Sequence, residues 1–211
     1  MLDDNNPSII PITVWYDYIS PWCYVGLARL EQLGEDYPLK VDYKSFYLKP
    51  DTPPEGIIRE SRSGSEFGTL VTGPLGDAAK DANIIMRRSP IVPNSDLSFA
   101  ASEFAKKKGL FEPFHKICYE AFWQEGVNLG DIAILQGLGE KVGLDPIEMK
   151  TSLESSEFKE ETNRQYREAL TMGVTGIPSF IMGRYFFSGA QPYEFFKHVA
   201  ELVQKEQAEK G

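Results

Sequence analysis

The strongest constraint in this chain is a strand, a capped helix and a second strand packed into its first fifty residues. Ile12 to Tyr18 alternates β-branched and aromatic side chains with polar ones, the two-residue period of a half-buried strand. Ser20-Pro21 then starts a helix: serine at N-cap accepts a backbone N–H, and proline suits the first turn, where its missing N–H is not needed. Val25, Leu27, Leu30 and Leu33 keep helical spacing as far as Gly34, and Leu39 to Leu48 alternates again. Two strands joined by one helix in this way pair in parallel through a right-handed crossover.

The next segment, Lys49 to Gly56, holds three prolines in eight residues and reads as a loop. From there to Gly173 almost nothing has a strand's alternation. Gly64 to Gly76 is turn-rich and irregular, and helical spacing follows at 77–86, 95–108, 111–125, 130–142, 146–153 and 155–172. Asp145-Pro146 is a particularly clear helix start. After Gly173, two short apolar runs flank Gly183-Arg184, a β-hairpin signal, and Glu194 to Gln207 is amphipathic and helical. The expected fold is therefore α/β: a four-stranded mixed sheet built from an N-terminal β-α-β half (1–56) and a C-terminal β-β-α half (173–211). An all-helical insertion (57–172) separates the halves.

Composition narrows the function. The chain has 211 residues and a formal charge of −9, which disfavours a nucleic-acid partner, since phosphate backbones call for a concentrated basic surface. Its longest basic run, Lys106-Lys107-Lys108, reads as a solvated helix face. No stretch has the roughly 18 apolar residues of a membrane span, and the acidic, polar start Met1 to Ile10 does not resemble a secretory signal. Two cysteines make no disulfide framework, so a reducing cytoplasm is the expected location.

The chemistry-bearing stretch is Asp17-Tyr-Ile-Ser-Pro-Trp-Cys-Tyr-Val-Gly26. A cysteine in the first turn of a helix meets the positive end of the helix dipole, which stabilises a thiolate. In a two-cysteine motif the first thiol is the exposed attacker and the second resolves the mixed disulfide. Here Ser20 holds the first place and Cys23 the second, so no disulfide can form within the motif. The second element is Thr175-Gly-Ile-Pro-Ser-Phe180, where a proline opening a strand suggests a rigid loop with a cis bond. Unpaired backbone there, facing a helix N-terminus, would pair in extended fashion with a peptide-like thiol.

These features together resemble the DsbA branch of the thioredoxin superfamily, and within it the FrnE-like proteins. Relatives of that group include the 2-hydroxychromene-2-carboxylate isomerases and kappa-class glutathione transferases. The likeness runs from about Ile12 to His198. It rests on Asp17 with Pro21-Trp22-Cys23-Tyr24-Val25-Gly26, on Phe46-Tyr47-Leu48-Lys49-Pro50, on Glu125-Gly126, on Gly173 to Pro178, and on Gly189-Ala190-Gln191. The resemblance implies that Pro178 is the cis-proline beside the active-site turn and that the Ile177 backbone pairs with a bound thiol. It puts Cys23 at the resolving position and Ser20 where FrnE-like oxidoreductases have their nucleophilic cysteine. In the isomerases and kappa transferases a serine at this place is thought to hold the glutathione thiolate. The Gly-Ala-Gln segment is FrnE-like instead, lacking the Asp-Arg pair those glutathione enzymes use.

The expected catalytic residues are thus Ser20 and Cys23, with Pro21, Trp22, Ile177 and Pro178 contacting substrate. Plainer roles stand beside these: Ser20 as a cap only, Cys23 as a buried thiol, Trp22 as a packed aromatic rather than a lid over a groove. Cys118 reads as core. His115 and His198 lack ligand spacing, so no metal is expected. Asp17 reads as a strand-end polar residue, and Asp81, Arg87 and Arg88 as candidates for lining a cleft. Three functions compete: a thiol-handling enzyme using glutathione or another small thiol as cosubstrate, with no tightly bound cofactor; a thiol-disulfide oxidoreductase; and a non-catalytic peptide- or partner-binding scaffold. Partners would be a small thiol or thiol-containing peptide, and an oligomer is compatible with the sequence.

Overall fold

The computed structural model describes residues 9–61, 66–155 and 157–209. The polar N-terminal residues 1–8, the start of the irregular segment at Gly64 and the terminal boundaries at 1 and 211 lie outside them. Strand β1 (Ile10–Tyr16), helix α1 (Pro21–Asp36) and strand β2 (Leu39–Ser45) form the expected crossover, with β1 and β2 parallel. The terminal hairpin is β5 (Ser179–Met182) and β6 (Tyr185–Ser188), followed by α8 (Tyr193–Ala208). Strand β5 runs antiparallel to β1, giving the mixed order β2-β1-β5-β6. Val14 sits opposite both Tyr43 and Phe180, so the central strand is clamped from both sides. Fully burying side chains such as Val14 and Phe180 contributes roughly 1.5–3 kcal/mol each.

Between β2 and β5 lie α2 (Gly73–Asp81), α3 (Asp96–Lys107), α4 (Phe111–Glu120), α5 (Ile132–Lys141), α6 (Pro146–Glu154) and α7 (Lys159–Thr171). Among its described residues the insertion is helical except for a ladder the sequence did not signal, β3 (Ile57–Ile58) against β4 (Ile91–Val92), and a single bridge between Leu70 and Arg87. Two-residue strands are too short to show alternation. The helix expected at 77–86 begins earlier, at Gly73-Pro74, and ends at Asp81, because Met86 leaves it to accept the Val71 N–H at 3.0 Å. The helix expected at 111–125 widens after Glu120 into a π-helical turn, Ala121–Glu125. From that turn the Trp123 indole N–H reaches the Tyr18 carbonyl at 2.9 Å. Such turns recur where a side chain must be re-aimed.

One hydrophobic cluster passes through both parts of the chain. It joins Ile10, Ile12, Val14 and Tyr16 of β1 and Leu30 and Leu33 of α1 to Phe99, Phe114, Phe122, Leu135 and Met149 of the insertion. On the opposite face of β1, Trp15 packs with Phe46, Ala169 and Val174. The 56/57 and 172/173 boundaries therefore divide the chain but not its core.

Strand β1 stops two residues short of the expected Tyr18 because Asp17 turns out of the ladder and becomes a hub. Its Oδ1 accepts from the Ile19 N–H at 3.2 Å and the Ser95 hydroxyl at 2.8 Å; its Oδ2 accepts from the Leu48 N–H at 3.0 Å. The Tyr119 hydroxyl donates to the Asp17 carbonyl at 3.1 Å. One fully buried side chain thus ties the end of β1 to the segment after β2 and to the start of α3. The Leu48 bond likewise ends β2 at Ser45, short of the expected Leu48. Burial raises the Asp17 pKa from 3.8 to about 6, and the hydrogen bonds offset only part of that. Because the folded chain holds this proton more tightly than the unfolded one, Asp17's contribution is greatest below pH 4 and falls as pH rises through about 6. Urea unfolding of wild type and Asp17→Asn across pH 4–7 should show their stability difference changing by roughly 2–3 kcal/mol in that direction. A difference independent of pH would refute this account of the hub.

Candidate functional site

Helix α1 begins as its sequence dictates. Ser20 is the N-cap with extended backbone, φ −86° and ψ 115°, and its Oγ accepts from the Cys23 N–H at 3.2 Å. Pro21 occupies the first turn. Ser20 itself is only 3 % exposed, Cys23 is fully buried, and Trp22 is 40 % exposed. The turn therefore presents an indole to solvent and keeps its hydroxyl and thiol beneath it. Among the described residues the Trp22 N–H takes no partner. It is the donor left free at a helix mouth where the dipole favours negative charge.

The second wall is the loop before β5. The Ile177–Pro178 peptide bond is cis. Pro178 is buried against α1 at a position where only glycine fits: a β-carbon on Gly26 would stand 2.9 Å from the Pro178 ring and 3.4 Å from Phe180. The Pro178 carbonyl accepts from the Gly189 N–H at 2.7 Å, which fixes the loop to the end of β6. Ile177 is half-buried, and among the described residues its N–H and C=O pair with no other backbone group. The structure thus brings Ser20, Pro21, Trp22, Cys23 and Pro178 together at one end of α1, with Ile177 adjoining.

Cys23 is not a poised nucleophile. Burial pushes its thiol up to about 12, against a smaller opposing effect from hydrogen bonding by Ser20, and the nearby Asp17 carboxylate raises it further. Cys118 is also free and fully buried, with its pKa raised by burial. His115 is buried among Tyr16, Tyr18 and Phe111, its Nδ1 3.0 Å from the Tyr18 hydroxyl. Burial lowers its pKa to about 3, so it stays neutral. Among the described residues no three His, Cys, Asp or Glu converge as metal ligands, and no helix is long and apolar enough to cross a membrane.

Three supporting residues escaped the sequence reading. Asp17, taken for a strand-end polar group, is the buried hub below the turn. Gly26 is the seat of Pro178. Arg29, on the buried side of α1, donates through Nη1 to the carbonyls of Ala190 and Gln191 at 2.7 and 2.8 Å, and through Nη2 to Asp81 at 3.0 Å. It anchors the Gly189–Gln191 loop, and it occupies two carbonyls that would otherwise be free acceptors beside the site. An arginine on a helix's apolar stripe was the available signal. Asp81 thus pairs with α1 instead of lining a cleft, while the Arg87 N–H donates to the Trp123 carbonyl at 2.7 Å. A pocket of about 240 Å3 lies beyond the hub, among Tyr47, Asn94, Asp96, Leu97, Lys159 and Thr162. None of the six expected site residues lines it. Its Tyr47 and Asn94 adjoin Leu48 and Ser95, the two residues that Asp17 holds.

Known proteins resemble this chain over nearly its whole length. The chain is 28% identical over 197 residues to the uncharacterized protein YwbO of Bacillus subtilis, covering 93% of this chain and 98% of that protein. It is 23% identical over 192 residues to a 2-hydroxychromene-2-carboxylate isomerase of Sphingobium xenophagum, covering 88% and 95%. Among solved structures, a probable DsbA oxidoreductase of Streptomyces coelicolor superposes with a TM-score of 0.81 at 25% identity, covering 93% of this chain and 91% of that one. The model of the DSBA-like thioredoxin domain matches residues 11–201. With its sheet order, its capped helix and its cis-proline loop all in place, the chain belongs to the DSBA-like thioredoxin domain family.

Proposed function

We propose that this chain is a thiol-handling enzyme. It binds glutathione or another low-molecular-weight thiol between the N-terminus of α1 and the Ile177-Pro178 loop, for isomerase, transferase or monothiol-exchange chemistry. The observation that carries this reading is the free Ile177 backbone beside a helix mouth whose Trp22 N–H is also unpartnered. An extended thiol compound pairs with the first and brings its sulfur to the second. The Ser20 hydroxyl accepts one bond from the Cys23 N–H, and its proton, turned from the Cys23 sulfur, donates to a bound thiolate. Serine without an adjacent base is a poor nucleophile, so Ser20 acts here by holding charge.

A dithiol oxidoreductase needs an exposed, low-pKa thiol at the helix mouth, and this chain has a hydroxyl there. Its one thiol in the motif is buried and protonated. Kinship with isomerases of the same family supports the alternative in which the enzyme activates a cosubstrate's thiol instead of its own. A reducing cytoplasm suits both the free cysteines and a millimolar thiol pool.

Calorimetry with glutathione tests the site. Wild type should bind in the millimolar range or tighter. Ser20→Ala should weaken binding about fivefold to tenfold while costing about 1 kcal/mol of stability through the lost cap. Absence of any heat at millimolar glutathione would remove the glutathione reading. Gly26→Ala should displace the Pro178 loop, costing about 1–3 kcal/mol and weakening the same binding. Ser20→Cys restores a two-cysteine motif and should gain insulin-reducing activity that wild type lacks. Insulin reduction by wild type that disappears in Cys23→Ser would instead establish the oxidoreductase.

A further inference from the structure

Four of the eight arginines fall between Arg59 and Arg88, in a chain whose formal charge is −9. Outside this segment every arginine is ion-paired. Arg29 meets Asp81 at 3.0 Å, and Arg164, Arg167 and Arg184 meet Glu161, Glu160 and Glu206 at 2.6 Å each. Inside it, no carboxylate of the described residues pairs with Arg59, Arg87 or Arg88. The one side-chain bond among these three runs from Arg87 Nη1 to the Gly68 carbonyl at 2.9 Å. Arg59 is half-buried, and burial lowers its pKa with no neighbouring anion to offset the desolvation.

The backbone holds these cations close together. Segment 86–92 pairs with both neighbours: the Arg59 N–H donates to the Pro90 carbonyl at 2.9 Å, and the Arg88 N–H to the Thr69 carbonyl at 2.9 Å. Arg59 therefore lies opposite a residue two places from Arg88. Exposed Ile58 precedes Arg59 and exposed Leu70 bridges to Arg87, so the ladder carries apolar as well as cationic side chains at its surface. That surface joins the candidate site through two bonds already described, Arg87 N–H to the Trp123 carbonyl and Trp123 indole to the Tyr18 carbonyl, two residues before Ser20.

We propose that this arginine-bearing ladder is a docking surface for an acidic, cysteine-containing peptide whose thiol enters the Ser20–Pro178 site. The inference rests on the thiol-site reading and extends it from a small thiol to a peptide. An extended chain advances about 3.3–3.6 Å per residue, so a few residues on either side of the cysteine bring carboxylates over the ladder. Unpaired guanidinium groups recognise carboxylates by paired N–H bonds.

Fluorescence anisotropy with labelled octapeptides decides it: one cysteine flanked by glutamates, the same peptide with glutamines, and the glutamate peptide with serine for cysteine. The glutamate peptide should bind about tenfold more tightly than the glutamine peptide, and the gain should fade between 50 and 500 mM salt, probe concentrations at which screening changes greatly. The double variant Arg59→Gln/Arg88→Gln should abolish the gain while leaving the glutamine peptide's affinity and the melting temperature unchanged. Equal binding of both cysteine peptides to wild type would overturn the docking surface and leave the thiol site standing. Arginine-dependent binding that is unchanged by serine for cysteine would support the surface and overturn the thiol site. Absence of binding by every peptide would overturn the proposal outright.

Discussion

The structure turns on a buried carboxylate. Asp17 has no contact with solvent, and its two oxygens accept from the turn before α1, from the segment after β2 and from Ser95 at the start of α3. Three parts of the chain that are distant in sequence meet at one side chain. The arrangement is costly in isolation, as the raised pKa shows, and it persists because each oxygen has donors. Its consequence for chemistry is local. A negative charge held under the first turn of α1 opposes a second one on Cys23, which adds to burial in keeping that thiol protonated. The hub therefore helps build a helix mouth whose own sulfur is quiet, and whose remaining donors are available to a ligand.

The walls of the candidate site are secured from behind in the same manner. Pro178 is seated on Gly26, its carbonyl is taken by Gly189, and Arg29 grips the next two carbonyls from within. None of these contacts uses the groups that face the mouth. The Ile177 backbone and the Trp22 N–H are left over because none of these bonds takes them. Groups held in place from behind need little reorganisation when a ligand arrives. This is why the site is legible as a site although the pocket among Tyr47, Asn94 and Thr162 lies on the far side of the hub.

Reading the residues in order recovered the crossover, the hairpin and most helices, because periodicity and caps are local signals. Ser20-Pro21 and Asp145-Pro146 start helices where expected, and the Asp145 carboxylate accepts from two N–H groups of its own first turn. The misses share a cause. The two-residue ladder of Ile57–Ile58 with Ile91–Val92, the early end of α2 and the widened turn at Trp123 all depend on partners far along the chain. Asp17, Gly26 and Arg29 were legible as residues and not as roles, since a strand-end acid, a helix glycine and a helix arginine are each ordinary until their partners are known.

By itself the sequence determined the sheet's parallel pair, the capped helix, the serine where a thiol would stand and the proline loop that closes the motif. All of these follow from spacing and from the stereochemistry of single residues. Only the tertiary structure decided that Cys23 is sealed under its own helix turn, that Trp22 is the exposed member of the motif, and that α7 covers the second face of the sheet. It alone showed which arginines find carboxylates. Burial and pairing are properties of what packs nearby, and in this fold neighbours that matter lie far along the chain, as Arg29 and Ala190 do at 161 positions apart.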